Sequence, residues 1–177
     1  SGFAATGRAL PTGSPVAARC ASGSADTTTL GDGSFVLPSS GLQFPCLLQA
    51  LHGTGESQQT LYSIATAAGT AHITPLTHAI VMAGASGDLA ALFATPTSTA
   101  LTSLVTRLAA VQSRLRQLLS EQGLSGPLAG VTGDFFNASL RPATAITLGD
   151  AHDLVLDAVA TRFGSTDALV HTLSTAI

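Results

Sequence analysis

The sequence predicts an α+β fold: an N-terminal antiparallel β-sandwich over residues 1–73, packed with a C-terminal bundle of four to five helices over residues 74–177. Three observations carry this expectation. Before His72, Gly and Pro punctuate short β-prone runs. From Thr74 onward, apolar residues recur at helical spacing. Hydrophobic residues make up 45% of the 177, whereas charged residues make up only 10%. Typical globular chains carry about 25% charge, so the apolar surface is ample and a disordered chain is excluded.

In order, Phe3 starts the first strand, and Pro11 to Pro15 is a turn cluster. Val16 to Ala21 is a second strand, carrying Cys20. Thr27-Thr28-Thr29 and Ser34 to Leu37 flank Gly31-Asp32-Gly33. Phe44 to Leu51 carries Cys46, and Gln59 to Ala67 is a further run. Thr74-Pro75 reads as a helix start, with Thr as N-cap and Pro at the first helical position. That helix runs to near Gly84, Asp88 caps a short second one, and the longest spans about Ser98 to Gln122. In it Leu101, Leu104, Val105, Leu108, Val111, Leu115 and Leu118 form one face, and Gly123 stops it. The loop-rich stretch that follows offers Phe135 and Phe136 as core anchors. A helix opening at Gly149 or Asp150 turns Leu154, Val155, Ala158 and Val159 inward and ends at Gly164. Ser165 or Thr166 caps the last helix. Short helices need a partner surface for their apolar faces, so the two halves are expected to pack tightly.

Asp32-Gly33 poses the first functional question. Asp-Gly between β-prone runs signals a two-residue hairpin turn, because type I′ needs positive φ at both central residues. A calcium loop would need carboxylates at close alternating spacing, and only Asp26 and Asp32 are near. A phosphate loop would need a Lys-Ser/Thr pair, and the chain has no lysine. Asp32 and Gly33 are therefore assigned to a turn.

Cys20 and Cys46 are the only cysteines. They could be a disulfide, two free core thiols or half a zinc site. An even count in a Ser/Thr/Gly-rich, low-charge chain favours the disulfide and an oxidising compartment.

The stretch "ATGRALPTGSPVAARCASGSADTTTLGDGSFVL" resembles the carboxypeptidase regulatory-like (prealbumin-like) sandwich: a strand, a small-residue turn, Pro-Val with an Ala-rich strand, a Thr-rich strand, Asp-Gly and Ser-Phe. The junction "AHITPLTHAIV" and the later "GDAHDLVLDAVA" resemble a group of proteobacterial exported proteins, often lipoproteins. In that group such a sandwich precedes an Ala/Leu-rich helical region. The resemblance implies a Gram-negative periplasm, cell surface or exterior, and a structural or binding module without catalytic residues.

Charge and motif exclude other classes. Net charge is −3, so no basic field draws nucleic acid. The most apolar stretch, Ile73 to Phe93, is broken by Pro75, His78, Gly84 and Asp88, so no transmembrane segment is expected. No leader opens the chain, which starts at Ser1 as a processed or trimmed one would. An unprocessed precursor has room for a lipid anchor. Gly-x-Ser-x-Gly is absent. Cys20, Cys46, His52, His72 and His78 lack the short spacing of zinc ligands, so no metal or other cofactor is expected. His72 and His78 read as interface histidines. Asp153 and Asp157 share a helix face, with Arg162 near enough for a surface pair.

The expected function is therefore non-enzymatic: a binding or structural module of the envelope or exterior, self-associating or docking on another envelope protein. The terminal strand, Gly2, Phe3, Ala4, Ala5 and Thr6, is the expected association strand, and a surface-fibre subunit is one form this could take. The alternative is a secreted hydrolase or metal-dependent enzyme with an unrecognised site.

Overall fold

A computed structural model describes residues 1–53, 55–85 and 88–177. Strands occupy the first part of the chain and helices the rest. The strands are β1 (Gly2–Phe3), β2 (Pro15–Ser22), β3 (Ser24–Thr28), β4 (Ser34–Phe35), β5 (Gln43–His52) and β6 (Gln59–Ala65). The helices are α1 (Pro75–Gly84), α2 (Leu89–Ala94), α3 (Ser98–Glu121), α4 (Ser125–Leu128), α5 (Ala151–Phe163) and α6 (Thr166–Ala176). The fold is mixed α+β with two antiparallel sheets, one ordered β3-β2-β5-β6 and one a two-stranded ribbon of β1 and β4.

The four-stranded sheet buries both faces. Leu47, Tyr62 and Ile64 share a hydrophobic cluster with Leu76 and Ile80 of α1 and with Leu101, Leu104 and Leu115 of α3. The opposite face carries Val16, Ala18, Leu48 and Ala50, clustered with Phe35 of the ribbon, Leu10 and Ile73. Period-two alternation in β5 thus sends Leu47 and Leu48 into different clusters. Burying each such side chain contributes roughly 1.5–3 kcal/mol.

Helix starts follow the capping chemistry. Thr74 Oγ1 accepts from Thr77 N–H (3.2 Å), and Thr77 Oγ1 accepts from Thr74 N–H (2.9 Å), with Pro75 at the first helical position. Thr97, Asp150 and Ser165 cap α3, α5 and α6 through their side chains. Phe135 and Phe136 are buried, and Arg116 lies over the Phe135 ring at 4.3 Å. In α5 the buried stripe is His152, Val155, Leu156 and Val159 together with Asp153. Leu154, expected inward, is 58% exposed. The stripe is set by the polar pair His152-Asp153 turning inward, a choice that apolar periodicity cannot register.

Asp32-Gly33 lies in a turn, as expected, but the strands on its two sides do not pair with each other as a two-residue hairpin. β3 pairs with β2, joined through Gly23, whose φ is +92°, while β4 pairs with β1. At residues 30–34 the chain makes a three-residue loop. Leu30 O accepts from Gly33 N–H (3.0 Å), and Leu30 N–H donates to Ser34 O (2.8 Å). Only Gly33 has positive φ there, so the two-residue type I′ turn is not formed.

Candidate functional site

The residues singled out in the sequence fall into separate places. Cys20 and Cys46 are bonded and face each other in the β2–β5 register. Asp32 Oδ1 accepts from Ser34 N–H (3.0 Å) and Ser34 Oγ–H (2.5 Å), and these bonds hold its carboxyl below its usual range. Gly2 to Thr6 is not a free edge. β1 pairs with β4 on one side. On the other, Ser1 O accepts from Ala71 N–H, Phe3 O accepts from Ile73 N–H, and Ala5 N–H donates to Ile73 O. Ala4 and Ala5 are fully buried. Being terminal did not leave the segment exposed; the chain returning from β6 closes it.

At the junction of sheet and helices two buried histidines meet. His72 Nδ1 accepts from Phe3 N–H (3.1 Å) and its Nε2 faces Ala138 O at 2.8 Å, so the neutral ring donates there. Burial, set against the Ala138 bond, lowers its pKa to about 4. His152 lies edge-on to it, with ring centroids 6.0 Å apart. His152 Nδ1 donates to Ser139 O (3.2 Å), which leaves Nε2 buried and unpartnered. Asp153, expected on the surface, is fully buried, with Oδ2 accepting from Ala143 N–H (3.1 Å). Burial raises its pKa. The group ties the loops around Ala138, Ser139 and Ala143 to the core. Arg162 donates to Gln122 O rather than pairing with a helix carboxylate.

A second histidine pair lines open space. At the β6 end of the sheet a polar cavity of about 250 Å³ is bounded by Gln58, Gln59 and Thr60 on one side, His78 at its base, and Ser165, Thr166 and Asp167 across it. A neighbouring cavity of about 200 Å³ shares Gln59, Ser165 and Thr166 and adds His52, Pro75, Val159 and Leu169. The site arises where α1 folds back on β6 and where Gly164, with φ +79°, turns α5 into α6. His78 is 7% exposed, stacks on Tyr62 at 5.9 Å, and accepts from Tyr62 N–H at Nδ1 (3.0 Å). Burial lowers its pKa to about 4. The neutral ring therefore carries its hydrogen on Nε2, for which no partner stands among the described residues. His52 Nε2 is buried without a partner.

This groove was not legible as a site in the sequence. His78 reads as an interface histidine, and it is one through Nδ1. The available signal was its place one turn into a helix that must pack on the strand before it. Among the described residues, no three His, Cys, Asp or Glu side chains stand together as a metal set. Comparison with protein families, curated proteins and solved structures finds no match for the chain.

Proposed function

We propose that this chain is an exported bacterial protein, of the envelope or exterior, that works by association through the outer edge of β3 rather than by catalysis. The Cys20–Cys46 disulfide, and the absence of any helix among the described residues long and apolar enough to cross a membrane, are consistent with that setting. The resemblance to prealbumin-like modules supports it as well.

One observation carries the reading. Thr29 N–H donates to Ser14 O (3.0 Å) and Cys20 N–H to Gly23 O (3.1 Å), which sets the phase of the β2–β3 ladder. Antiparallel alternation then turns the N–H and C=O groups of Ser24, Asp26 and Thr28 outward. All three residues are exposed, and β3 is an edge of its sheet. No lysine or proline guards it. The opposite edge differs: at Tyr62 of β6, His78 Nδ1 takes the N–H and Thr77 Oγ1 bonds the C=O. A strand added at β3 from a second copy is the favoured partner, with backbone hydrogen bonds supplying affinity.

Asp26→Pro removes an outward N–H and leaves the backbone hydrogen bonds to β2 in place. Since it also removes the exposed Arg19–Asp26 ion pair (3.0 Å), Asp26→Ala, which loses only that pair, is the control. Sedimentation of the purified chain should show association that Asp26→Pro abolishes while the melting transition survives. A strictly monomeric wild-type chain that turns over an ester, peptide or glycoside would overturn the reading in favour of a secreted hydrolase.

A further inference from the structure

The groove at the opposite edge of the sheet has no role in that association, and its chemistry points to a ligand. Its polar half presents hydroxyls (Thr60, Ser165, Thr166), carboxamides (Gln58, Gln59), the His78 ring and one carboxylate, Asp167. No arginine lines either cavity, so phosphate and carboxylate ligands have no counter-charge. Among the described residues Asp167 makes no ion pair or side-chain hydrogen bond, its charge is felt by the His78 ring across the cavity, and it sits in the first turn of α6, where the helix dipole offsets that charge. The adjoining half is walled by Pro75, Val159 and Leu169 beside the orphaned His52 Nε2. Each cavity is smaller than the roughly 300–1,000 Å³ of drug-sized sites.

We propose that this groove binds a neutral, polyhydroxylated ligand of sugar size, with His78 Nε2–H donating to one ligand hydroxyl and Asp167 accepting from another. The donor is fixed rather than adjustable. His78 is more than nine-tenths buried, its plane is held by Tyr62, and its Nδ1 is occupied. Asp167 supplies the complementary acceptor across the cavity. Sugar hydroxyls both donate and accept, so one ligand satisfies both walls, and the C–H face of a sugar ring suits the apolar end. An amine would use Asp167 but leave the His78 donor unpaired. A phosphate would use His78 but meet the Asp167 charge.

The test is a backbone-amide NMR titration of the full chain with glucose, galactose and N-acetylglucosamine, alongside agmatine and inorganic phosphate. At least one sugar should shift the amides of Gln59, Ser165 and Asp167 saturably. His78→Asn places an oxygen near the old Nδ1, so it keeps the Tyr62 bond while removing the outward donor. It and Asp167→Asn should each weaken that sugar about tenfold, the effect of losing one hydrogen bond in a ligand site. No saturable response to any of the three sugars overturns the proposal. So does saturation by agmatine or phosphate alone, or a sugar response unchanged in both variants. Asp26→Pro should leave sugar binding intact, so failure here and failure of β3 association are read separately.

Discussion

Acidification from pH 6.5 toward 4 should destabilise this protein steeply, because His72 and His78 are buried neutral. Burial lowers both to about 4, against 6.5 in an unfolded chain. Above pH 6.5 the rings are neutral in both states and contribute nothing to pH dependence. Between 6.5 and about 4 only the unfolded chain takes up the proton, so stability falls as pH falls. Below about 4 both states are protonated and the loss is complete. At about 1.4 kcal/mol per pH unit, each histidine removes roughly 3 kcal/mol across that window. Two such groups remove much of the 5–15 kcal/mol typical of a domain. Nearby charges modify the outcome little in sign: Asp150 and Asp167 pull the two values back up, and the His152 ring pushes His72 further down. His152 is itself lowered by burial and adds to the loss. Asp153 is raised, so it opposes the trend by favouring the folded state as it protonates at the acid end. The assay is urea unfolding at a series of pH values from above 6.5 to about 4, for wild type, His72→Gln, His78→Asn and the double variant. Each single variant should flatten the pH slope by about one proton, whatever it does to stability at neutral pH. A wild-type free energy level across the window, or a double variant with the wild-type slope, would refute the reasoning.

Other perturbations have clear expected outcomes. Reducing the disulfide, or Cys20→Ser with Cys46→Ser, frees a loop of 26 residues and should cost about 3.5 kcal/mol by chain entropy, read from denaturant midpoints. Gly33→Val should destabilise by more than about 2 kcal/mol. Its φ is +81°, and a Cβ would meet Ala4 O and Ala9 Cβ at 2.9 Å each. Asp32→Asn keeps the oxygen that accepts from Ser34 and should stay within about 0.5 kcal/mol by thermal melting. A fragment from Thr74 to Ile177 loses Leu47, Tyr62 and Ile64 from the core it shares with α1 and α3, so calorimetry should find no cooperative transition.

The helical half was legible because its determinants are local. Thr74-Pro75, the leucine face of α3, Gly123 and Gly164 each act within a turn or two of themselves. The β half was legible as strands but not as pairings. Asp32-Gly33 and Gly23 are both turn glycines, and which one makes the hairpin depends on which strands find partners. The Thr-rich strand pairs backward with β2, while Ser34-Phe35 is taken by the N-terminal Gly2-Phe3, far earlier in the chain. The same non-locality hid the closed edges of Gly2 to Thr6, because the segment that covers it, Ala71 to Ile73, lies far along the sequence. The groove was hidden for a related reason. His78 and Asp167 belong to different helices, and only the packing of α1 against β6 and α6 brings them to one cavity.

The state of the two sheet edges also limits what association can build. A fibre made by strand addition needs two complementary open edges, so that each copy offers what the next one takes. Here β6 is buried from Leu61 to Ala65, and α1 side chains occupy the backbone of Tyr62. The terminal strand is closed on both sides. That leaves β3 as the exposed edge of the main sheet, and one edge can meet only its own copy. Two β3 strands related by a two-fold axis run antiparallel, the geometry that suits their outward N–H and C=O groups. The contact is then isologous and closes at a dimer, with two four-stranded sheets made continuous. Sedimentation should accordingly find a monomer–dimer equilibrium that does not progress with concentration, and Asp26→Pro should hold the chain at the monomer. Filaments by electron microscopy that survive Asp26→Pro would mean that a second surface, not the sheet edge, drives assembly.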